Sequence, residues 1–357
     1  MVCKHPFDIT IISKVLGLPY DKFYRWFKEH LTDFRTEEGQ NRLHEHDIHI
    51  YINGKQKKIL VPIFRPEHFD THMAIDEKHI DGLFYTVLSN AKTGKVVLLC
   101  STIKANELKM CLKRFDLKLE EVRFITLDLS PTFELVATEN FPNATHIADK
   151  FHVVKNGIEA LQAMRTRIKN EVLNIQREEQ KTHEKRYKES KDKLLYGPKM
   201  LISKAYRPVK LINGETVPEL LSRSRYLLAM TSDKWNIYQM KRAKLLFETF
   251  PQIEQAYQKI IEFRDWYKAK PVYYEPFQNE RLLGKWIEET ENNYSIEIRN
   301  FSNLVANHEQ IILNYHKCGN KTNAIAESIN AKIKDAIRKN NGSRDIDFFH
   351  YKLALII

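Results

Sequence analysis

Three acidic residues lie far apart in the chain: Asp76 in "AIDEKH", Asp128 in "TLDLSP" and Glu327 in "TNAIAESINAKIK". Asp76 falls inside a run with strand character. Asp128 ends a short apolar strand just before a turn, where a buried charge costs free energy unless a cation meets it. Glu327 belongs to a late amphipathic helix. Carboxylates supplied by separate rigid elements are what two divalent ions, about 3.5–4 Å apart, need in order to clamp the attacking and leaving oxygens of a phosphodiester. Magnesium, or manganese in its place, prefers oxygen ligands and keeps several waters, so three carboxylates suffice for a pair of ions.

Glu327 is weighed by helix geometry. Ile325, Ile329, Ile333 and Ile337 recur every four residues and form an apolar stripe, while Glu327, Asn330 and Lys334 share the opposite, polar face. The plain reading of such a glutamate is a surface group facing water. Against it, residues 317–344 hold seven Lys or Arg and only two acids, Glu327 and Asp335. A lone acid among so many cations suits a metal held beside phosphates.

The elements that would position these residues follow from pattern. From Met73 onward "MAIDEKHI", "GLFYTVLSN" and "KVVLLCST" are strands, the last two joined by the turn former "AKTG". A helix with Leu108, Cys111, Leu112 and Phe115 on one face follows, then "VRFITLDLS", whose apolar centre suits a strand covered on both sides. A helix from about Pro131, a strand in "ATHIADKFHVV" and a further helix complete the order. Three strands, helix, strand, helix, strand, helix is the order of a ribonuclease H-like fold, an α/β class with a mixed sheet. The expected organisation is a helix-turn-helix-like segment at 1–34, a connector at 35–70 with a hairpin turning at "NGK", the core at 71–168, a large all-helical insertion at 169–316, and a closing core helix at 317–357.

In the first segment Asp8 and Asp21 are expected to cap two short helices separated by "GLPY". The second carries Lys22, Arg25 and Lys28 beside Tyr24 and Trp26, a mixture suited to a DNA groove, although any small helical hairpin looks similar. In the insertion Trp235, Trp266 and Trp286 are expected to be packing anchors. Asp149 is a further metal ligand, a substitute member of an acidic triad, or the cap of the helix starting near Phe151, the cap or a supporting role being the plainer reading, and His152 either orients a phosphate or water or is structural.

Composition narrows the partners. A chain of 357 residues with 43% hydrophobic residues can build one large or several smaller cores, and its formal net charge of +11 favours an anionic partner, nucleic acid first. The four cysteines form no zinc-type or disulfide pattern. No stretch has the length and apolarity of a transmembrane helix, and "MVCKHPFDITI" lacks signal-peptide anatomy, so a cytoplasmic protein with no membrane role is expected.

Two longer blocks carry a resemblance. "FPNATHIADKFHVVKNGIEALQAMRTRIKNE" resembles the block after the second catalytic aspartate in bacterial insertion-sequence transposases of the ISL-three type, and "TNAIAESINAKIKDAIRKNNGSRDIDFFHYKLAL" resembles their closing block. Within that type the blocks look like those of the ISAon-like subgroup. The resemblance covers about residues 70–357 and implies an Asp-Asp-Glu triad at Asp76, Asp128 and Glu327 that binds two magnesium ions. It also implies double-stranded DNA, both element ends and target, as partner; on that reading Lys321, Lys332, Lys334 and Arg338 are expected on phosphates, and Asp149, His152 and Asn330 are candidates for the shell around the triad. A homodimer or larger assembly on DNA and a nucleoid-associated location in a bacterial cytoplasm follow from the same resemblance. Two departures stand out: no cysteine-rich zinc segment opens the chain, which leaves room for a separately encoded DNA-binding partner, and "LS" follows Asp128 where methionine with a small or aromatic residue is usual. An inactive DNA-binding regulator and a nuclease without strand transfer are the alternatives.

Overall fold

A computed structural model describes residues 9–52, 54–80, 82–193, 205–268, 277–293, 295–319, 326–339 and 345–357. The chain begins with α1 (Ile9–Val15), α2 (Tyr20–His30) and α3 (Glu37–His44), turns through the hairpin of β1 (Ile48–Ile52) and β2 (Lys55–Ile59), and lays down β3 (Ile63–Phe64), β4 (His72–Ile80), β5 (Leu83–Asn90) and β6 (Val96–Cys100). Then α4 (Ala105–Arg114), β7 (Phe124–Leu127), α5 (Pro131–Asn140) and β8 (Thr145–Ala148) alternate before the long α6 (Lys150–Lys193). Helices α7 (Val217–Arg223), α8 (Arg225–Ala229), α9 (Ile237–Thr249), α10 (Pro251–Trp266), α11 (Gln278–Asn293) and α12 (Ile296–Asn307) follow, and α13 (Glu309–Lys317), α14 (Ala326–Lys339) and α15 (Ile346–Ile356) come last. Residues 1–153 with 310–357 form one compact unit, and 154–309 form a second. Among the described residues no helix is long and apolar enough to cross a membrane.

The first unit is built on a mixed six-stranded sheet in the order β3-β6-β5-β4-β7-β8. Strands β4, β5 and β6 pair antiparallel, β4 with β7 and β7 with β8 pair parallel, and β3 adds an antiparallel edge through Ile63 opposite Leu99. The β3 pairing recruits to the sheet a stretch expected to be connector. The order is consistent with the expected ribonuclease H-like core.

Strand alternation sorts the side chains into two layers. Met73, Ile75, Ile125 and Leu127 pack with Leu108, Cys111 and Leu112 of α4 and with Phe133, Val136 and Ala137 of α5. On the other face Ile80, Tyr85, Val87, Val96 and Leu99 pack with Ile333 and Ala336 of α14 and with Phe349 and Leu353 of α15. Buried on that face, Tyr85 lies 2.7 Å from His350, hydroxyl to Nε2. Burial pushes the His350 imidazole down to about 4, so at neutral pH it is uncharged and pairs with the phenol as a neutral hydrogen-bond partner. The folded state thus holds His350 near 4, against 6.5 for its ordinary value, so the unfolded chain binds the extra proton between the two. Stability is expected to be full above about pH 6.5 and to fall towards pH 4, by about 3 kcal/mol at most from this group. Urea midpoints across that range check it: the slope should flatten in His350→Gln, and an unchanged slope would assign the acid loss to other groups.

The outer side of α15 carries the N-terminal helices. Phe23, Phe27 and Phe34 bury against Phe348 and Tyr351, with Phe34 and Phe348 ring centroids 4.9 Å apart at a tilt of 64°. Helices α1 and α2 meet at Gly17, whose φ of +65° is a left-handed conformation that glycine adopts without strain. The expected cap at Asp21 is not the one used: α2 starts after Pro19, whose fixed φ suits a helix entry, and Asp21 falls inside the first turn. Asp8 lies outside the described residues. Lys28 also departs from expectation. It is buried, bonded to Asp345 and set over the Phe34 and Phe348 rings, so its charge is committed to packing, whereas Lys22 and Arg25 are exposed.

In the second unit Trp266 and Trp286 are buried around Phe263, and their indole N–H groups donate to the carbonyls of Asn279 and Lys259 at 2.9 Å each. The indole of the half-buried Trp235 donates to the Leu227 carbonyl. Gly157 of α6 meets the Phe301 ring so closely that an added Cβ would stand 2.9 Å from it.

Candidate active site

Register places the aspartates. In the parallel pair β4 and β7, Ala74 lies opposite Thr126, so two residues further along Asp76 comes level with Asp128. Between β7 and β8, Leu127 lies opposite Ala148, which sets Asp128 beside Asp149. Asp149 N–H donates to the Leu127 carbonyl at 2.7 Å and locks that last step. Three aspartates thus stand in a row across three adjacent parallel strands, at the level where β7 and β8 end.

Alternation also sets their direction. Ile75 and Leu127 face α4 and α5, so Asp76 and Asp128, one residue on, take the opposite side, together with Lys78 and Ile80. That is the side on which α14 packs through Ile333 and Ala336. Glu327 precedes Ile333 by six residues, about 9 Å along the helix axis. The helix is described at Glu327 and Asn330, but both side chains lie outside the described residues, as does Lys321 altogether. Lys332 and Lys334 are exposed, and exposed Arg338 bonds Asp335 at 2.8 Å.

The electrostatics around the aspartates are crowded. Asp76 is buried; its Oδ1 accepts from the Glu77 amide at 2.8 Å, and its Oδ2 accepts from the Lys78 ammonium at 2.6 Å. His152 Nε2 lies 3.8 Å from Asp76 Oδ1 and 4.0 Å from Asp149 Oδ2. Burial raises the Asp128 carboxyl above its ordinary value and the charge of Asp76 adds to this, outweighing the Ser130 amide at 2.9 Å and the nearby His152 ring and Lys78 ammonium. Asp149 Oδ1 accepts from the Phe151 amide at 2.9 Å, the bond of a helix cap at the start of α6. Glu77 is exposed, on the other side of the strand from its neighbour.

Among the described residues no group of three or more His, Cys, Asp or Glu side chains is set to hold a metal ion. The donor chemistry nevertheless fits one. Two carboxylates share a partly dry site in which one of them is held against ionisation by burial and by its neighbour, and hard oxygen donors of this kind are those that divalent magnesium or manganese takes. Lys78 is the member of this group that inspection of the sequence missed. The signal was present: a residue two positions on from Asp76 in a strand shares its face.

Two of three comparisons with known proteins return nothing: no curated protein and no solved structure matches the chain. The third does. Residues 73–353 match the model of a family described as a transposase, the ISL-three DDE type.

Proposed function

The chain belongs to the ISL-three-type DDE transposases, and we propose that it cuts and joins DNA at the ends of an insertion sequence, using Asp76, Asp128 and Glu327 on a ribonuclease H-like core. The observation that carries this reading is the register that sets Asp76 level with Asp128 on neighbouring parallel strands, both on the side covered by the helix of Glu327. In the first step water attacks the phosphodiester at the element end, the P–O3′ bond breaks and the 3′-hydroxyl is released. In the second that hydroxyl attacks a phosphodiester of the target strand, forming a new P–O bond and displacing the target's own 3′-oxygen. No covalent intermediate with the protein is needed.

Asp76 and Asp128 would hold two divalent ions, with Glu327 completing the set; ions bound there supply Lewis-acid polarisation of the phosphoryl oxygen and a more acidic water. The protein's own part is to keep the two aspartates at fixed register and to shield them on one side with α14. Exposed Lys332, Lys334 and Arg338 on α14 and Lys22 and Arg25 on α2 are the cations offered to phosphates. Joining two ends calls for at least a dimer on DNA, and a separately encoded DNA-binding partner is part of the same proposal. The test is strand transfer with labelled element-end DNA and magnesium. Joined product is expected from the parent and none from Asp128→Asn; equal joining by the two removes the triad assignment, and cleavage without joining by the parent would make the protein a nuclease.

A further inference from the structure

We propose that Lys78 is a built-in counter-ion of the metal site: in the ion-free protein its ammonium holds the position on Asp76 that a divalent ion takes, and when an ion binds, Lys78 gives up Asp76 and turns to a DNA phosphate. The inference rests on the active-site reading above and assigns a positioning role to a residue outside the triad.

The geometry is specific. Lys78 lies two residues from Asp76 on the same strand and therefore on the same face. Its Nζ is 2.6 Å from Asp76 Oδ2, with the lysine side chain 15% and the aspartate side chain 9% exposed, so this is a pair sheltered from water. Oδ1 of Asp76 accepts from the Glu77 amide, and Oδ2 is the oxygen that Lys78 occupies. The same ammonium stands on the face of the sheet that Asp76 shares with Asp128. One ammonium thus offsets part of the repulsion between two carboxylates. A divalent ion placed on the same carboxylates meets that ammonium as a like charge at close range, and in a sheltered site the two cannot share one oxygen.

Antiparallel pairing of Asp76 with Val87 of β5 holds the backbone of β4 there, while the four-carbon lysine stem can swing its head by several ångströms. A compact ammonium released beside a phosphodiester is a natural partner for its non-bridging oxygens. Lys78 would then act as a place-holder before the ions arrive and as a phosphate clamp afterwards.

The test reads metal binding rather than turnover. Manganese is titrated into the full chain without DNA, by calorimetry and by the paramagnetic resonance signal of the free ion, for the parent and for Lys78→Met, Lys78→Gln and Lys78→Arg. Loss of the competing charge is expected to tighten manganese binding by about tenfold in the Met and Gln variants, while Arg, which keeps the charge, stays within about threefold of the parent. The Gln variant retains a hydrogen-bond donor for Asp76, so it keeps the test decisive if the Met variant fails to fold. Parent-like or weaker manganese binding in Lys78→Gln overturns the proposal. Asp76→Asn separates the two levels: if it leaves manganese binding intact, the active-site reading itself fails, whereas if it abolishes binding and Lys78→Gln changes nothing, only the counter-ion role is lost.

Discussion

Asp76→Asn and Asp128→Asn are expected to abolish strand transfer alike, each by about a thousandfold or more, since several kcal/mol of charge stabilisation at the phosphoryl group is lost in either case. The same two substitutions should move the thermal stability of the metal-free protein in opposite directions. Asp76 is the sheltered partner of Lys78, and removing its charge leaves the ammonium without its counter-charge, a loss of about 3–5 kcal/mol. Asp128 is held above its ordinary value by burial and by the charge of Asp76, so its ionised form costs the folded state free energy. Asparagine removes that charge and keeps an acceptor for the Ser130 amide. The sign follows from linkage: the folded protein binds the Asp128 proton more tightly than the unfolded chain, so its stability declines as pH rises through that interval. The advantage of Asp128→Asn is therefore present at neutral pH and vanishes in acid, where the parent carboxyl is protonated too. Calorimetric melting of both variants at pH 7 decides the matter, and melting temperatures shifted in the same direction would mean that the two carboxylates do not share one electrostatic environment.

Phe348→Ala carries the second large expected effect. Phe348 is fully buried and meets Tyr24, Phe27 and Phe34 edge-on, with Tyr351 stacked beside it and Lys352 over its ring. Truncation should cost about 3–5 kcal/mol, the range for a large aromatic removed from a packed core. The loss should be local in character. The sheet-facing side of α15 packs through Phe349 and Leu353, which the substitution leaves in place. Hydrogen exchange is expected to show α1, α2 and α3 losing protection while β4, β5 and β6 keep theirs. Uniform loss across both regions would show that the N-terminal helices and the sheet unfold as one.

The core of the sheet was legible in the sequence because its strands carry short apolar runs bounded by turn residues: "VVLLC" for β6, "FITL" for β7, and "LFYTVLSN" ending in the "AKTG" turn. Asp76 and Asp128 fell into neighbouring positions once the parallel pairing was known, but pairing is a long-range property that no local pattern records. Strand β3 was hidden by its brevity, two residues just after Pro62 whose partner strand is set only by the fold. Lys28 was misjudged for a similar reason. Its place on a basic, aromatic helix suggested an exposed face, and nothing nearby in sequence announces Asp345, which lies 317 residues away. The Lys78–Asp76 pair, by contrast, was local and could have been found by strand parity alone.

The docking of α2 against α15 has a bearing on how the protein is made. Ribosomes release chains from the amino end at about 5–20 residues per second, so the Phe23, Phe27 and Phe34 surface emerges some tens of seconds before its aromatic partners exist. Throughout that interval the nascent amino-terminal helices present an unfinished greasy surface, the kind that holding chaperones recognise, and any message truncated before the codon for Phe348 would leave that surface permanently uncovered.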